Sequence, residues 1–247
     1  MTKLHLGCGE KYLEGYLNID FPDTEQNIIK TKADIYADMR TLAYPDNSVD
    51  EIRSHHLFEH FRRADAIALL MRWRRWLKPG GRLVIETPDF LGCAAAYAAA
   101  LTQKRRMEIG RHMMGSQEAH WAIHYDFWDA PKFKYIFSEC GFRSTTIRNY
   151  RNAVAQYFSG TPSLGPFLTP LLNIAGTLLP ASFYEKRGGH KLPNVVAITH
   201  KGDGAIDERA VARRILSQYL VGREGEPLLA IWMKQFDEAI EGKPLKS

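Results

Sequence analysis

The chain opens on Leu4-His5-Leu6-Gly7-Cys8-Gly9, and eleven positions past Gly9 it reaches Asp20, at the end of Leu17-Asn18-Ile19-Asp20. Each run is short, apolar and rich in strand-forming residues. The first stops in a glycine turn and the second in a carboxylate. The residues between them leave room for about one helical turn. In an open α/β sheet, ligands sit beyond the carboxyl ends of the strands. The glycines and the acid therefore belong to one ligand-binding edge. Whatever covers that edge is expected from later in the chain.

The rest of the first two thirds alternates strand and helix patterns. After a short extended piece at 34–38 and a turn at 46–48, a strand is predicted over 49–54. A helix follows over 62–77, where Ile67, Leu70, Met71, Trp73, Trp76 and Leu77 recur at helical spacing and Lys78-Pro79-Gly80-Gly81 stops it. An apolar strand over 82–86 leads to an Ala-rich helical stretch over 90–114 and a helix over 131–140, with Gly141 as its stop. Strands at 143–148 and 195–199 flank a Pro- and Gly-rich excursion, 149–193. Two amphipathic helices close the tail, one through Ile206, Ala210, Val211 and Ile215, the other through Leu228, Leu229, Trp232, Phe236 and Ile240. This alternation predicts an α/β fold with a largely parallel sheet. The expected division is one domain over 1–202, with 149–193 inserted before the last strand, and a helical extension over 203–247.

The 247 residues are 45% hydrophobic, ample for one core. The net charge of +5 suits a phosphate-bearing partner without requiring one. Much of the excess sits in Arg62, Arg63, Arg72, Arg74, Arg75 and Lys78, which read as a solvated helix face. Three widely spaced cysteines, Cys8, Cys93 and Cys140, make neither a disulfide framework nor a zinc ribbon, and reduced thiols of a cytoplasmic protein are expected. The first residues lack the basic-then-apolar order of a signal peptide, and no apolar run is long enough to span a bilayer.

At the ligand edge, a carboxylate at Asp20 can accept both hydroxyl hydrogen bonds of a ribose, or serve as a turn residue before Phe21-Pro22. Asp38 has two readings as well. It can accept from an adenine amine while Met39 packs on the ring, or it can cap a turn.

Taken in order, Leu4 to Gly9, Asn18-Ile19-Asp20, Ala37-Asp38-Met39-Arg40-Thr41-Leu42, Asn47 to Ile52, His56-Leu57-Phe58-Glu59-His60-Phe61 and Trp76 to Leu83 resemble class I S-adenosylmethionine-dependent methyltransferases. The later Phe137 to Phe142 is similar to the helix end before that family's sixth strand. The resemblance implies a Rossmann-like, seven-stranded, mostly parallel sheet with the last strand antiparallel, and S-adenosylmethionine as cofactor. It implies a cofactor site of Leu6, Gly7, Cys8, Gly9, Asp20, Asp38, Met39, Ser54 and His55. In it, Gly7 and Gly9 line the methionine part, Asp20 holds the ribose, Asp38 the adenine, and Ser54 and His55 lie beside the sulfonium. The first helix is cut to about a turn, and Lys11 replaces the family's third glycine. The ending Gly15-Tyr16-Leu17-Asn18-Ile19-Asp20 is similar to a compact group that often methylates sugars or polysaccharides.

Methyl transfer to oxygen needs an aligned acceptor and a base for the hydroxyl proton, which at neutral pH is most naturally a histidine. The run Gly115 to Phe127 resembles a Gln…His segment of the compact group, on the side that faces the acceptor. His124 is the expected base, with His56 and His120 behind it, and Glu59, His60, Gln117 and Tyr125 are expected to orient the acceptor. A hydrogen-bonded structural role is an equally open reading for each histidine. The run His56-Leu57-Phe58-Glu59-His60 also spells a metal-binding pattern. It follows a strand and shows no third ligand, so no metal is expected.

The expected acceptor is a sugar or glycan hydroxyl, lipid-linked saccharides included. N-methylation of an amino sugar or small amine, and a non-catalytic cofactor-binding subunit, stand as alternatives. No Asn-Pro-Pro-Tyr-type motif or Pro-Cys nucleophile points to nucleic acid. The excursion around 161–191 has three readings: a lid over the acceptor, a homodimer interface, or peripheral contact with the inner face of a membrane through apolar side chains and Lys186, Arg187 and Lys191.

Overall fold

The computed structural model describes residues 1–22, 30–150 and 192–243. Seven strands form one sheet: β1 (Lys3–Leu6), β2 (Leu17–Asp20), β3 (Ile35–Tyr36), β4 (Val49–His55), β5 (Leu77–Pro88), β6 (Phe142–Tyr150) and β7 (Asn194–Lys201), in the order β3-β2-β1-β4-β5-β7-β6. All pairs are parallel except those of β7, which runs antiparallel to both β5 and β6. The expected seven-stranded, mostly parallel sheet with its last strand antiparallel is present.

Register decides what meets at the ligand edge. Leu6 pairs with Ile19 on one side and Ser54 on the other, so Gly7, Asp20 and His55 follow at neighbouring strand ends. No helix lies between β1 and β2. Asn18, fully buried, organises the connection instead: its Oδ1 accepts from the Leu13 N–H at 2.9 Å, and its Nδ2 donates to the carbonyls of Leu13 and Tyr16. The buried amide does the work of the absent helical turn, since each main-chain group it satisfies would otherwise be stranded.

Among the described residues, six helices follow the strand pattern: α1 (Arg63–Trp76), α2 (Phe90–Ala98), α3 (Gln103–Met114), α4 (Ala130–Glu139), α5 (Glu208–Ser217) and α6 (Gly225–Ile240). The Ala-rich stretch is two helices, not one. Helix α2 ends at Ala98, and Thr102 starts α3 by accepting from the Arg105 N–H at 3.2 Å. The stop at Lys78-Pro79-Gly80-Gly81 is the beginning of a long β5.

The solvated face predicted around α1 holds at Arg62 and Arg75, which are exposed, and is corrected at Arg72 and Arg74. Twelve of its side chains, Arg72 and Arg74 among them, are buried, because α5 and α6 pack over the helix. Both guanidiniums escape an unpaired burial by capping loop carbonyls. Arg72 donates to Arg40 and Leu42, and Arg74 donates to Gly141, Gly202 and Gly204, the last at 2.8 Å. Leu229, Met233 and Phe236 of α6 are buried against the same core, worth roughly 1.5–3 kcal/mol each. The Arg63 guanidinium lies over the rings of Tyr219 and Trp232.

The expectations for the excursion over 161–191 lie outside the described residues. Among the described residues, no helix is long and apolar enough to cross a membrane.

Candidate functional site

A cavity of about 810 Å³ opens at the carboxyl ends of β1, β2 and β4. Its first wall is the glycine turn. Gly7 has φ +65°, and a Cβ there would stand 2.7 Å from the Leu57 Cβ, so only glycine lets the β1 and β4 edges approach this closely. The Gly7 N–H donates to the Ile19 carbonyl at 2.9 Å. The Gly9 N–H donates to Asp20 Oδ2 at 2.5 Å, and the Phe21 N–H to Oδ1 at 2.7 Å. Two main-chain donors thus fix the carboxylate at the cavity, with lone pairs left for a ligand. Burial and the neighbouring Asp20 push the Cys8 thiol up to about 12, which leaves it without nucleophilic character.

Of the residues predicted for the cofactor, Gly7, Cys8, Gly9, Asp20, Asp38, Met39 and His55 line the cavity; Leu6 and Ser54 are buried behind it. Burial lowers the His55 imidazole to about 4, against the opposing charge of Glu86. His55 is neutral at pH 7. Asp38 is held from two sides. Its Oδ1 accepts from the Arg40 N–H at 2.9 Å, and the Arg40 guanidinium binds both oxygens, at 3.0 and 2.7 Å. It caps a turn and faces the cavity at once.

Asp65 is a cavity residue that the sequence did not single out. In the first turn of α1 it reads only as an acid complementing the helix dipole. In the fold it is 4% exposed, with an Oδ1 that has no hydrogen-bond partner among the described residues. Burial raises its carboxyl to about 6; Arg40 and Arg62 oppose the shift and Asp38 adds to it.

The second wall comes from 111–125. Gly115 (φ +85°) sits so close to the Ala122 carbonyl that a Cβ would overlap it, and a bridge from Gly115 to Ile123 closes the loop. Arg111, Ser116, Glu118, His120, Trp121 and Tyr125 face the cavity from this wall, with Arg62 lying over the Tyr125 ring. His120 and Tyr125, both singled out in the sequence, line the cavity. Gln117 is not: it points away, its Nε2 donating to the Met114 carbonyl.

The remaining histidines separate into two layers. His56 and His60 line the cavity; Glu59 and His124 lie behind, lining a small crevice against Phe90, Phe127 and Trp128. Phe58, fully buried against Trp73 and Trp128, pins the turn that carries them. His56 has φ +46°, a left-handed conformation imposed where the chain leaves β4. The hydrogen-bond network fixes its tautomer. The Asn194 atom 3.1 Å from the Glu86 carboxylate must be the donor, Nδ2, so Asn194 Oδ1 accepts from His112 Nε2 at 2.9 Å. The other Nδ2 hydrogen meets His56 Nε2 at 3.0 Å, leaving the His56 Nδ1–H to donate to Glu59 Oε1 at 3.1 Å. For Glu59, burial favours the neutral acid. The His56 hydrogen bond and the surrounding histidines outweigh it and hold the carboxyl at about 2.

Residues 4–85 match the family model described as a methyltransferase domain. Three solved structures are similar in fold. A S-adenosylmethionine-dependent methyltransferase from Archaeoglobus fulgidus is 16% identical, with 81% of this chain and 86% of that chain covered and a TM-score of 0.49. The Haemonchus contortus phosphoethanolamine N-methyltransferase 2, in complex with S-adenosyl-L-methionine, is 13% identical, with 82% and 49% covered and a TM-score of 0.43. A methyltransferase described as putative, from Bacillus halodurans, is 12% identical, with 82% and 93% covered and a TM-score of 0.42. No curated protein matches the chain. The family match covers about a third of the chain, and the strand order and the glycine–carboxylate edge fall within or beside it. The cavity's residues fit S-adenosylmethionine: the Gly7 cradle excludes even a methyl group, Asp20 is pre-set as an acceptor, and Asp65 Oδ1, without a hydrogen-bond partner among the described residues, is open to a donor.

Proposed function

We propose that the chain is a class I S-adenosylmethionine-dependent methyltransferase that acts on a hydroxyl of a saccharide acceptor, lipid-linked saccharides included. The observation that carries the reading is the make-up of the second wall. Trp121 and Tyr125 offer ring faces for the apolar side of a sugar, and Ser116, Glu118 and Arg111 offer hydrogen bonds around it. Arg62 and Arg111 also favour an acceptor that carries phosphate.

S-adenosylmethionine supplies a methyl group on a positively charged sulfur, which leaves as a neutral thioether. The protein's part is positioning and proton handling. Asp20 accepts from the ribose hydroxyls, and Asp65 Oδ1 is the open acceptor for an adenine amine beside the Asp38–Arg40 pair. His55, kept neutral, adds no repulsion next to a cationic sulfur. His120 is the base. Its ring lines the cavity at the acceptor wall and has no hydrogen-bond partner among the described residues, whereas His124 donates Nδ1–H to the Met113 carbonyl and lies behind His60.

Calorimetry with S-adenosylhomocysteine tests the cofactor, and an acceptor panel of neutral sugars, sugar phosphates, lipid-linked saccharides and amino sugars tests the rest. Methyl transfer confined to amines favours the N-methylation reading; cofactor binding with no transfer to any acceptor favours a non-catalytic subunit. His120→Ala is expected to lower kcat by about 100-fold with little change in KM. A lipid-linked acceptor further predicts binding to anionic vesicles at low salt.

A further inference from the structure

The pattern His56 to His60 lacks a third ligand in sequence, and the fold supplies one. The Tyr125 N–H donates to the Glu59 carbonyl at 2.9 Å, fastening the second wall to the turn after β4 and bringing His124 with it. One ligand atom each from Glu59, His60 and His124 then lies within 4.8 Å of the others. His56 is not part of the group. It donates to Glu59 Oε1 and so orients the carboxylate from outside.

Three further observations point to a ligand at this spot. The ring nitrogen Nδ1 of His60 lies 3.1 Å from the Ile123 carbonyl, and that of His124 lies 3.2 Å from the Met113 carbonyl. A carbonyl can only accept, so both Nδ1 atoms carry the proton, and in the neutral ring each Nε2 presents a lone pair. Ligating histidines are commonly fixed in this way by an outer partner. His124 Nε2 stands 4.0 Å from Glu59 Oε1, beyond hydrogen-bond range. Glu59 itself is 1% exposed, and its Oε2 has no hydrogen-bond partner among the described residues. A native fold seldom strands a buried carboxylate oxygen.

We propose that Glu59, His60 and His124 bind a divalent transition-metal ion of the zinc, cobalt or nickel kind. Two imidazoles and a carboxylate suit these ions better than magnesium or calcium, which take oxygen ligands. A tetrahedral ion with bonds of about 2.1 Å separates its ligands by about 3.4 Å, so the three side chains need to close by no more than about 1.5 Å. Three protein ligands leave a position open, and His60 places it at the cavity wall. The use of that position rests on the methyltransferase reading. An acceptor hydroxyl bound there becomes more acidic and gives up its proton to His120 or to water; the metal site itself does not depend on that reading.

The test is made on the full-length, untagged chain, stripped with a chelator and titrated with Co²⁺ and Zn²⁺ by calorimetry, with the visible absorption of Co²⁺ as a second readout. One ion per chain is expected, at micromolar affinity or better. His60→Ala and His124→Ala are each expected to weaken binding at least tenfold, and His200→Ala, at the other end of β7, to leave it unchanged. Glu59→Gln is added only where circular dichroism shows it folded. No saturable binding at micromolar ion, or equal affinity in both histidine variants, overturns the site. Titration of the same samples with S-adenosylhomocysteine separates the two readings. Cofactor binding without metal binding sinks the metal site alone. Metal binding without cofactor binding sinks the cofactor assignment and leaves the metal site standing.

Discussion

The two walls of the cavity are held in place by different means. The first wall is built from strand ends whose main-chain groups bond to one another and to Asp20 across only 11 positions. The second wall is a loop closed on itself at Gly115 and Ile123, and tied to the first wall by the Tyr125 N–H on the Glu59 carbonyl. The part of the first wall from Gly7 to Asp20 is thus pre-set by local sequence. The second takes its place only once distant parts of the chain have packed. A change in the first wall should act on folding and cofactor binding, and a change in the second on acceptor turnover alone.

The largest expected effect is Gly7→Ala. The substitution puts a Cβ at φ +65°, 2.7 Å from the Leu57 Cβ. Left-handed strain costs about 1–3 kcal/mol and overpacking a further 1–3. A loss of about 4 kcal/mol by chemical denaturation is expected, with cofactor binding impaired in any folded fraction. A fully stable variant with unchanged affinity would show that the turn is not clamped as described.

Asp20→Ala comes next. It removes the acceptor for two ribose hydroxyls and frees the Gly9 N–H that now donates to it. Hydrogen bonds to a charged group are worth about 1.5–3 kcal/mol each, so the dissociation constant for S-adenosylhomocysteine should rise roughly 100-fold or more. If acceptor KM changes instead, the two walls are not separate.

Much of this contrast could be read in the sequence, and the reason is range. The Gly7-Cys8-Gly9 turn, Asp20 and the strands around them are defined by residues a few positions apart, and they fell where the pattern put them. The break between α2 and α3 escaped because four positions of Ala99-Ala100-Leu101-Thr102 carry no strong stop, and the Thr102 cap is visible only once its side chain turns to the Arg105 N–H. Arg72 and Arg74 looked solvated because the carbonyls they cap lie in loops as far away as Gly204. His124 was expected at the acceptor and stands behind His60, since its placement depends on contacts with Glu59 more than sixty positions earlier. Asp65 carries no sequence signal at all beyond its position at a helix start.

Asp65 gives a smaller effect with a definite pH dependence. Its carboxyl titrates at about 6 in the fold against 3.8 as the ordinary value. The folded state therefore binds more protons than the unfolded one between those pH values, and stability falls as pH rises through that window. Below it, both states are protonated and no cost remains; above about pH 6 the full cost of burying the ionised group is present. Asp65→Asn should stabilise the cofactor-free chain by about 1–3 kcal/mol at pH 8 and by almost nothing below pH 4. A gain of equal size at both pH values would mean that the carboxylate is not strained by burial. With cofactor bound the gain should shrink, because the orphaned oxygen then has a donor. The same variant thus reports on the adenine end of the first wall.

The smallest effect tests the second wall on its own terms. Trp121 is half-buried at the cavity and belongs to the loop, with no part in the strand-end network. An aromatic platform is worth about 0.5–1.5 kcal/mol beyond the area it buries. Trp121→Ala should raise the acceptor KM up to about tenfold, while the affinity for S-adenosylhomocysteine and the denaturation midpoint stay close to those of the native chain. Steady-state kinetics on the accepted saccharide, beside calorimetry, makes the separation measurable. Should cofactor affinity fall along with KM, the loop must be bearing on the first wall through the Tyr125–Glu59 tie. That outcome would replace two independent walls with one coupled unit, in which acceptor binding and cofactor binding each improve the other.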